Sequence, residues 1–270
     1  MTDTDSTGTH STGMVAGGVA TRLYVDAPLQ AGAELALDRD RAHYLKQVLR
    51  LGPGDAVGLF NGRDGEWRAR IEEVARRGVR LRAEALTRPQ APDADLWLVF
   101  APIKRQRIDL VAEKASELGA AAIWPVFTER TAMTRVNLER LRANAIEAAE
   151  QTERLSVPEI REPVTLGELA HRWPKERRLL LCAEAGDARP IASVLQEILR
   201  ERGEAIGPAA ILVGPEGGFA SAELDALSKL PFVTAVGLGP RILRADTAAV
   251  AALACWQAIV GDGARRPPQR

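Results

Sequence analysis

The feature that most constrains this chain is a change of rhythm at Thr87-Arg88-Pro89-Gln90-Ala91-Pro92-Asp93, a Pro-punctuated stretch with no apolar periodicity of its own. Upstream of it, apolar residues fall in short alternating runs: RLYV from Arg22, AELAL from Ala33, VGLF from Val57, EWRARIEEVA from Glu66 and VRLRAEAL from Val79. Period-two alternation broken by Gly, Pro, Asn and Asp signals half-buried strands and turns at the spacing of a small β-barrel. Asn61-Gly62-Arg63-Asp64-Gly65 reads as a hairpin turn, and Arg41 to Leu51, closed by Gly52-Pro53-Gly54, reads as the single helix of this part.

Downstream, strand and helix alternate. LWLVFA, AAIWPVF, RLLLCAE, AAILVG and TAVGLG are the strands; helices are expected over 104–118, 137–153, 190–202, 221–229 and 246–260. Runs such as AILVG are apolar on both faces, as buried parallel strands require. The reading is therefore α/β with a small β-barrel. A tail over 1–20, rich in Thr, Ser and Gly, precedes a barrel domain over 21–89; an α/β domain over 90–262 and a tail over 263–270 follow.

Composition bounds the function. The chain has 270 residues, 46% hydrophobic and 27% charged, an ordinary globular balance. Its longest nearly apolar stretch, AAVAALACWQAIV from Ala248, contains Gln257 and falls short of the roughly 20 residues of a membrane span. The first residues lack the basic and apolar regions of a secretory signal, and two cysteines, Cys182 and Cys255, fit a reducing cytoplasm. Thirty-six basic and 36 acidic residues cancel over the whole chain, but residues 21–89 hold 13 basic against 10 acidic side chains. An excess this small implies that any nucleic acid is held by a few placed arginines, with a shallow salt dependence.

Three strand ends carry the chemistry: Leu181-Cys182-Ala183-Glu184-Ala185-Gly186, Val213-Gly214-Pro215-Glu216-Gly217-Gly218-Phe219, and Gly237-Leu238-Gly239-Pro240-Arg241-Ile242-Leu243-Arg244. In an open parallel sheet, loops at the carboxyl ends of strands form the ligand crevice. Gly217-Gly218, just before a helix with Ser221 at its N-cap, lets backbone amides approach a ligand. The loop is neither a P-loop, which needs GxxxxGK[ST], nor a GxGxxG dinucleotide fingerprint.

RLYV, HYLKQVLRLGPGD, the helix with Lys104, Glu113-Lys114 and Glu117-Leu118-Gly119, EAAEQTERLSVPEI, VGPEGGF and LGPRILRADTA together resemble the uracil-N3 methyltransferases of small-subunit (16S) ribosomal RNA. These belong to the SPOUT class of knotted methyltransferases. The resemblance covers about Arg22 to Val260. It implies an N-terminal PUA-like barrel for RNA and a C-terminal SPOUT α/β domain with a deep trefoil knot. It further implies a homodimer that uses the last helix, and S-adenosyl-L-methionine held by Ala183, Glu184, Gly214, Glu216, Gly217, Gly218, Leu238, Gly239, Ile242 and Leu243. The family often reads R-x-E-T where this chain has Arg244-Ala245-Asp246-Thr247, so Asp246 suits helix capping better than catalysis.

Transfer to uracil N3 requires that its proton be removed and the charge spread onto the uracil oxygens be stabilised. Arg244 and Arg241 are the candidates for that charge; Glu216 or Asp246 is the candidate proton acceptor. N3 chemistry, unlike C5 chemistry, needs no thiolate, so Cys182 and Cys255 read as buried and inert. His10, His43 and His171 are too scattered for a metal site. RNA contacts are expected from Arg22, from His43, Lys46 and Arg50 on one helix face, from Arg80 and Arg82 on one strand face, and from Lys104 and Arg105, with ribosomal RNA or the small subunit as partner. An alternative is a knotted methyltransferase acting on a ribose 2′-hydroxyl or another base. A second is a non-catalytic RNA-binding protein of the same fold, against which the retained GPEGG loop argues.

Overall fold

The computed structural model describes residues 18–75, 78–183, 188–203 and 206–263, apart from the side chains of residues 105, 106 and 202. The chain divides between Ala91 and Pro92 into two compact units.

The first unit is built from β1 (Arg22–Tyr24), β2 (Glu34–Leu37), α1 (Arg39–His43), β3 (Ala56–Phe60), β4 (Glu66–Ala75) and β5 (Gly78–Arg88). Alternation works as expected: Leu35 and Leu37 on β2, and Val79, Leu81 and Ala83 on β5, enter one core with Leu23, Leu45, Leu59 and Ile71. The strand order is β1-β3-β4-β5-β2, and this path ends at β1 and β2 instead of closing, so the expected barrel is an open five-stranded sheet. Three register shifts along β4 and β5 bend it.

Two local expectations are corrected. The helix starts two residues earlier than expected, because the Asp38 carboxylate accepts the Arg41 amide at 2.9 Å. It does not run to Leu51: after His43 it widens into a π-helical turn over Tyr44–Val48, and Arg50 sits at φ 58°. Asn61 builds the expected hairpin turn, its side-chain oxygen accepting from the amides of Arg63 and Asp64. Gly65 is needed there, since a Cβ would lie 2.3 Å from the Arg88 carbonyl oxygen.

The second unit contains β6 (Leu96–Phe100), α2 (Arg105–Glu117), β7 (Ala122–Phe127), α3 (Leu138–Gln151), β8 (Glu159–Ile160), β9 (Val164–Thr165), α4 (Leu166–Arg172), β10 (Arg178–Cys182), β11 (Arg189–Pro190), α5 (Ile191–Arg202), β12 (Ala209–Val213), α6 (Ser221–Ser228), β13 (Val233–Gly237) and α7 (Ala245–Ile259). Every pairing is parallel, in the order β11-β13-β10-β12-β6-β7-β8, with β9 on β7. Leu96, Leu98 and Phe100 join the core on one face; Trp97 and Val99 join the core on the other. Burial on both faces is why these strands read as unbroken apolar runs.

This order positions the site. Strand β10 lies between β12 and β13, with Cys182 level with Val213 on one side and Val236 on the other. The carboxyl ends of β10, β12 and β13 thus lie side by side.

Candidate cofactor site at three adjacent strand ends

A cavity of about 560 Å³ opens where those strands end, within the usual range of small-molecule sites. Its walls are Cys182 and Ala183 from the end of β10, residues 213–219 after β12, and residues 238–245 after β13; Arg107 and Arg130 reach it from elsewhere. Pro215 to Gly218 form a tight turn in which the Gly218 amide donates to the Pro215 carbonyl at 2.9 Å, with Gly218 at φ 68°. The cap of helix α6 lies one residue before the expected position. Ala220, not Ser221, is its N-cap, and its amide donates to the Glu223 carboxylate at 2.9 Å. Gly239 adopts φ 108° with open space where a Cβ would stand, so the loop after β13 offers bare backbone to the cavity.

Charge is concentrated at the cavity. Arg107 Nη1 lies 3.1 Å from Glu216 Oε1, and Arg107 Nε lies 3.8 Å from Asp246 Oδ2. Asp246 sits in the first turn of α7, two residues past the Arg244 N-cap, and its Oδ1 accepts the Thr247 amide at 2.8 Å. The carboxylate therefore serves the first turn of the helix, but not as its N-cap. Arg130 Nη1 donates to the Gly217 carbonyl at 3.0 Å. Arg241 and Arg244 line the cavity, are exposed, and have no ion-pair partner among the described residues.

Comparison with known proteins decides the family. Residues 89–257 match the RNA methyltransferase domain family, and residues 37–84 match the RNA methyltransferase PUA domain. The ribosomal RNA small subunit methyltransferase E of Rickettsia conorii is 34% identical over 239 residues, covering 86% of this chain and 93% of that protein. The chain belongs to the ribosomal RNA small subunit methyltransferase E family. The family member of Mycobacterium bovis is 33% identical, over 90% of this chain and 96% of its own length. The solved structure of the Neisseria gonorrhoeae methyltransferase E, bound to S-adenosyl methionine, is 28% identical with a TM-score of 0.76, covering 90% of this chain and 98% of that one.

Ten of the residues singled out in the sequence line this cavity: Ala183, Gly214, Glu216, Gly217, Gly218, Leu238, Gly239, Ile242, Leu243 and Arg244. Glu184 lies outside the described residues. Sequence reasoning did not place Arg107 or Arg130 in the site, since each meets the loop across a long sequence separation, 109 and 87 residues respectively.

The expected RNA contacts fare differently. Arg22 is corrected: it is 4% exposed, its Nε lies 2.6 Å from Glu66 Oε2, and its guanidinium rests on the Phe60 ring at 4.5 Å. A side chain engaged this way in the interior is unavailable to phosphate. Arg80 pairs with Glu73, and Arg82 pairs with Glu72 at 2.5 Å and Glu34 at 2.7 Å, so the β5 face is largely neutralised. His43, Lys46 and Arg50 are exposed, but Arg50 leaves the helical face because the π turn ends before it. Lys104 is exposed at the N-cap of α2, and the Arg105 side chain lies outside the described residues.

Burial pushes the Cys182 thiol up to about 12, so it stays protonated and poorly nucleophilic at neutral pH. Cys182→Ser is accordingly expected to keep methyl transfer within about threefold, measured with a labelled methyl donor; a loss of hundredfold or more would restore a thiol to the chemistry. A Cβ at Gly214 would come within 2.7, 3.0 and 3.1 Å of three Phe219 ring atoms, and Phe219 is itself 9% exposed. Gly214→Ala is expected to force that ring toward the cavity and weaken donor binding by roughly tenfold or more in calorimetry; unchanged affinity would place the donor elsewhere.

Proposed function

We propose that this chain is an S-adenosyl-L-methionine-dependent methyltransferase that methylates N3 of a specific uridine in the 16S ribosomal RNA of the small subunit. The observation that carries this reading is the cavity itself: three adjacent strand ends, two of them glycine-rich, enclose about 560 Å³ beside clustered arginines. The residues suit the cofactor. Bare backbone at Gly214, Gly217, Gly218 and Gly239 can hydrogen-bond an adenine and ribose, while Leu238, Ile242 and Leu243 supply apolar contact. The bound cofactor supplies a methyl group activated on a sulfonium.

The chain's own residues then position the acceptor and handle its proton. Glu216 is the better placed acceptor of the N3 proton, because only its Oε1 is engaged, by Arg107, and its side chain is 42% exposed at the cavity. Arg244, unpaired among the described residues, faces the charge that develops on the uracil oxygens. Asp246 keeps a supporting role at the first turn of α7. N3 lies on the pairing edge, so the uridine must be presented unpaired. His43, Lys46, Arg50, Lys104 and Arg105 remain the RNA contacts of this reading; Arg80 and Arg82 contribute only by exchanging their carboxylate partners.

The finer fold belongs to the same reading. We infer a SPOUT knot in the second unit. Support for the knot is that β13 lies between β10 and β11, which are consecutive in the chain, so the segment entering α7 must negotiate that connection. Support for a homodimer is the accessible stripe of Thr247, Val250, Ala251, Ala254 and Ala258 on α7, with Ile242 80% exposed nearby in sequence. A cytoplasmic site of action accords with a ribosomal substrate.

The test is transfer of labelled methyl from the donor to ribosomal RNA or assembled small subunits. Incorporation into RNA is expected. Donor binding without any transfer would favour the non-catalytic RNA-binding alternative.

A further inference from the structure

Three segments far apart in sequence meet at Arg107: the first turn of α2, the turn after β12 through Glu216, and the first turn of α7 through Asp246. The guanidinium donates at 3.1 Å to Glu216 and stands 3.8 Å from Asp246, and it lines the cavity with its side chain 31% exposed. Its own backbone is fixed, the amide donating to the Lys104 carbonyl at 2.8 Å. Without it, Glu216 and Asp246 lose the cation that stands between them. Glu216, half exposed and with no other side-chain partner among the described residues, would then turn toward water.

We propose that Arg107 is a positioning residue for methyl transfer, holding the Glu216 carboxylate at the acceptor side of the cavity by bracing it against Asp246. This rests on the methyltransferase reading above and adds to it the residue through which the proton acceptor is oriented. Lysine does not substitute: a single ammonium lacks the planar fork that lets one side chain face two carboxylates. Arg107 acts through Glu216, so its loss costs turnover by misplacing the acceptor carboxylate, and a misplacement of about 1 Å costs on the order of hundredfold.

The experiment compares wild type, Arg107→Ala, Arg107→Lys, Glu216→Gln and the double variant Arg107→Ala/Glu216→Gln. Turnover on ribosomal RNA, donor affinity by calorimetry and melting temperature are measured for each. Both Arg107 variants are expected to lose roughly 10- to 100-fold in kcat, with donor affinity within about threefold of wild type. The double variant is expected to fall no more than about threefold below Glu216→Gln alone, because the two residues act as one unit. Turnover within about threefold of wild type in Arg107→Ala, penalties that multiply in the double variant, or a donor affinity that falls as far as kcat would each overturn the proposal. A wild-type protein that binds the donor but transfers nothing would overturn the functional reading itself, and this is read before any variant is compared.

Discussion

Glu216→Gln is expected to lower kcat by about 10²- to 10⁴-fold, the range that a positioned general base contributes, while donor affinity stays within about threefold. The substitution preserves shape and leaves an amide oxygen able to accept from Arg107 Nη1, now 3.1 Å from Glu216 Oε1. What it removes is the capacity to take a proton. Glu216 follows Pro215 in a turn closed by the Gly218 amide and held from outside by Arg130 on the Gly217 carbonyl, so the backbone that presents it is braced on both sides. A selective loss of turnover thus identifies the side chain and not the loop. Turnover within about fivefold of wild type would remove Glu216 from the mechanism and leave Asp246 or water to take the proton.

The second large effect concerns stability. Arg22 and Glu66 form an ion pair with each side chain 3% exposed; Arg88 approaches the same carboxylate oxygen at 3.6 Å, and Thr87 Oγ1 lies 3.3 Å from the other. Removing Arg22 leaves the buried Glu66 carboxylate with only the more distant Arg88 as cation, a loss that costs up to about 3–5 kcal/mol. Arg22→Ala is therefore expected to destabilise the first unit by about that amount, read as hydrogen exchange in β1, β3 and β4 faster by about a hundredfold or more. Replacing both partners together, Arg22→Leu with Glu66→Leu, is expected to recover most of the loss, because an apolar pair leaves no buried charge. Stability unchanged by Arg22→Ala would mean that Arg22 is not engaged as the geometry shows, and would return it to the list of RNA contacts.

Much of this architecture was legible in the residues for physical reasons. Alternation located the strands of the first unit, and double-faced apolar runs located those of the parallel sheet, because burial dictates both patterns. The cavity loops were legible because Gly-Pro and Gly-Gly steps at strand ends have few other uses. The exceptions are instructive. The π turn over Tyr44–Val48 was hidden because the apolar spacing of Tyr44, Leu45, Val48 and Leu49 fits an ordinary helix equally well. Helix α4 escaped although Thr165 and Glu168 form a complete capping box, a signal present in the text but attached to only seven residues. Barrel closure was an extrapolation from strand spacing, whereas hydrogen bonding leaves β1 and β2 as edges. Arg22 sits in an alternating run whose polar positions normally face water; its burial depends on Glu66, 44 residues away, which no local pattern encodes. The same holds for Arg107 and Arg130, whose roles arise only when distant strands are laid side by side.

Methylation of uracil at N3 is tested by locating the methyl group. Ribosomal RNA is incubated with the protein and a labelled donor, scanned by reverse transcription, and the modified nucleoside is identified after digestion. N3 methylation blocks the pairing edge, so reverse transcriptase is expected to stop beside a single uridine, and the label is expected on the base of a methyluridine. Label recovered on a ribose oxygen or on another base would exclude uracil N3 as the acceptor.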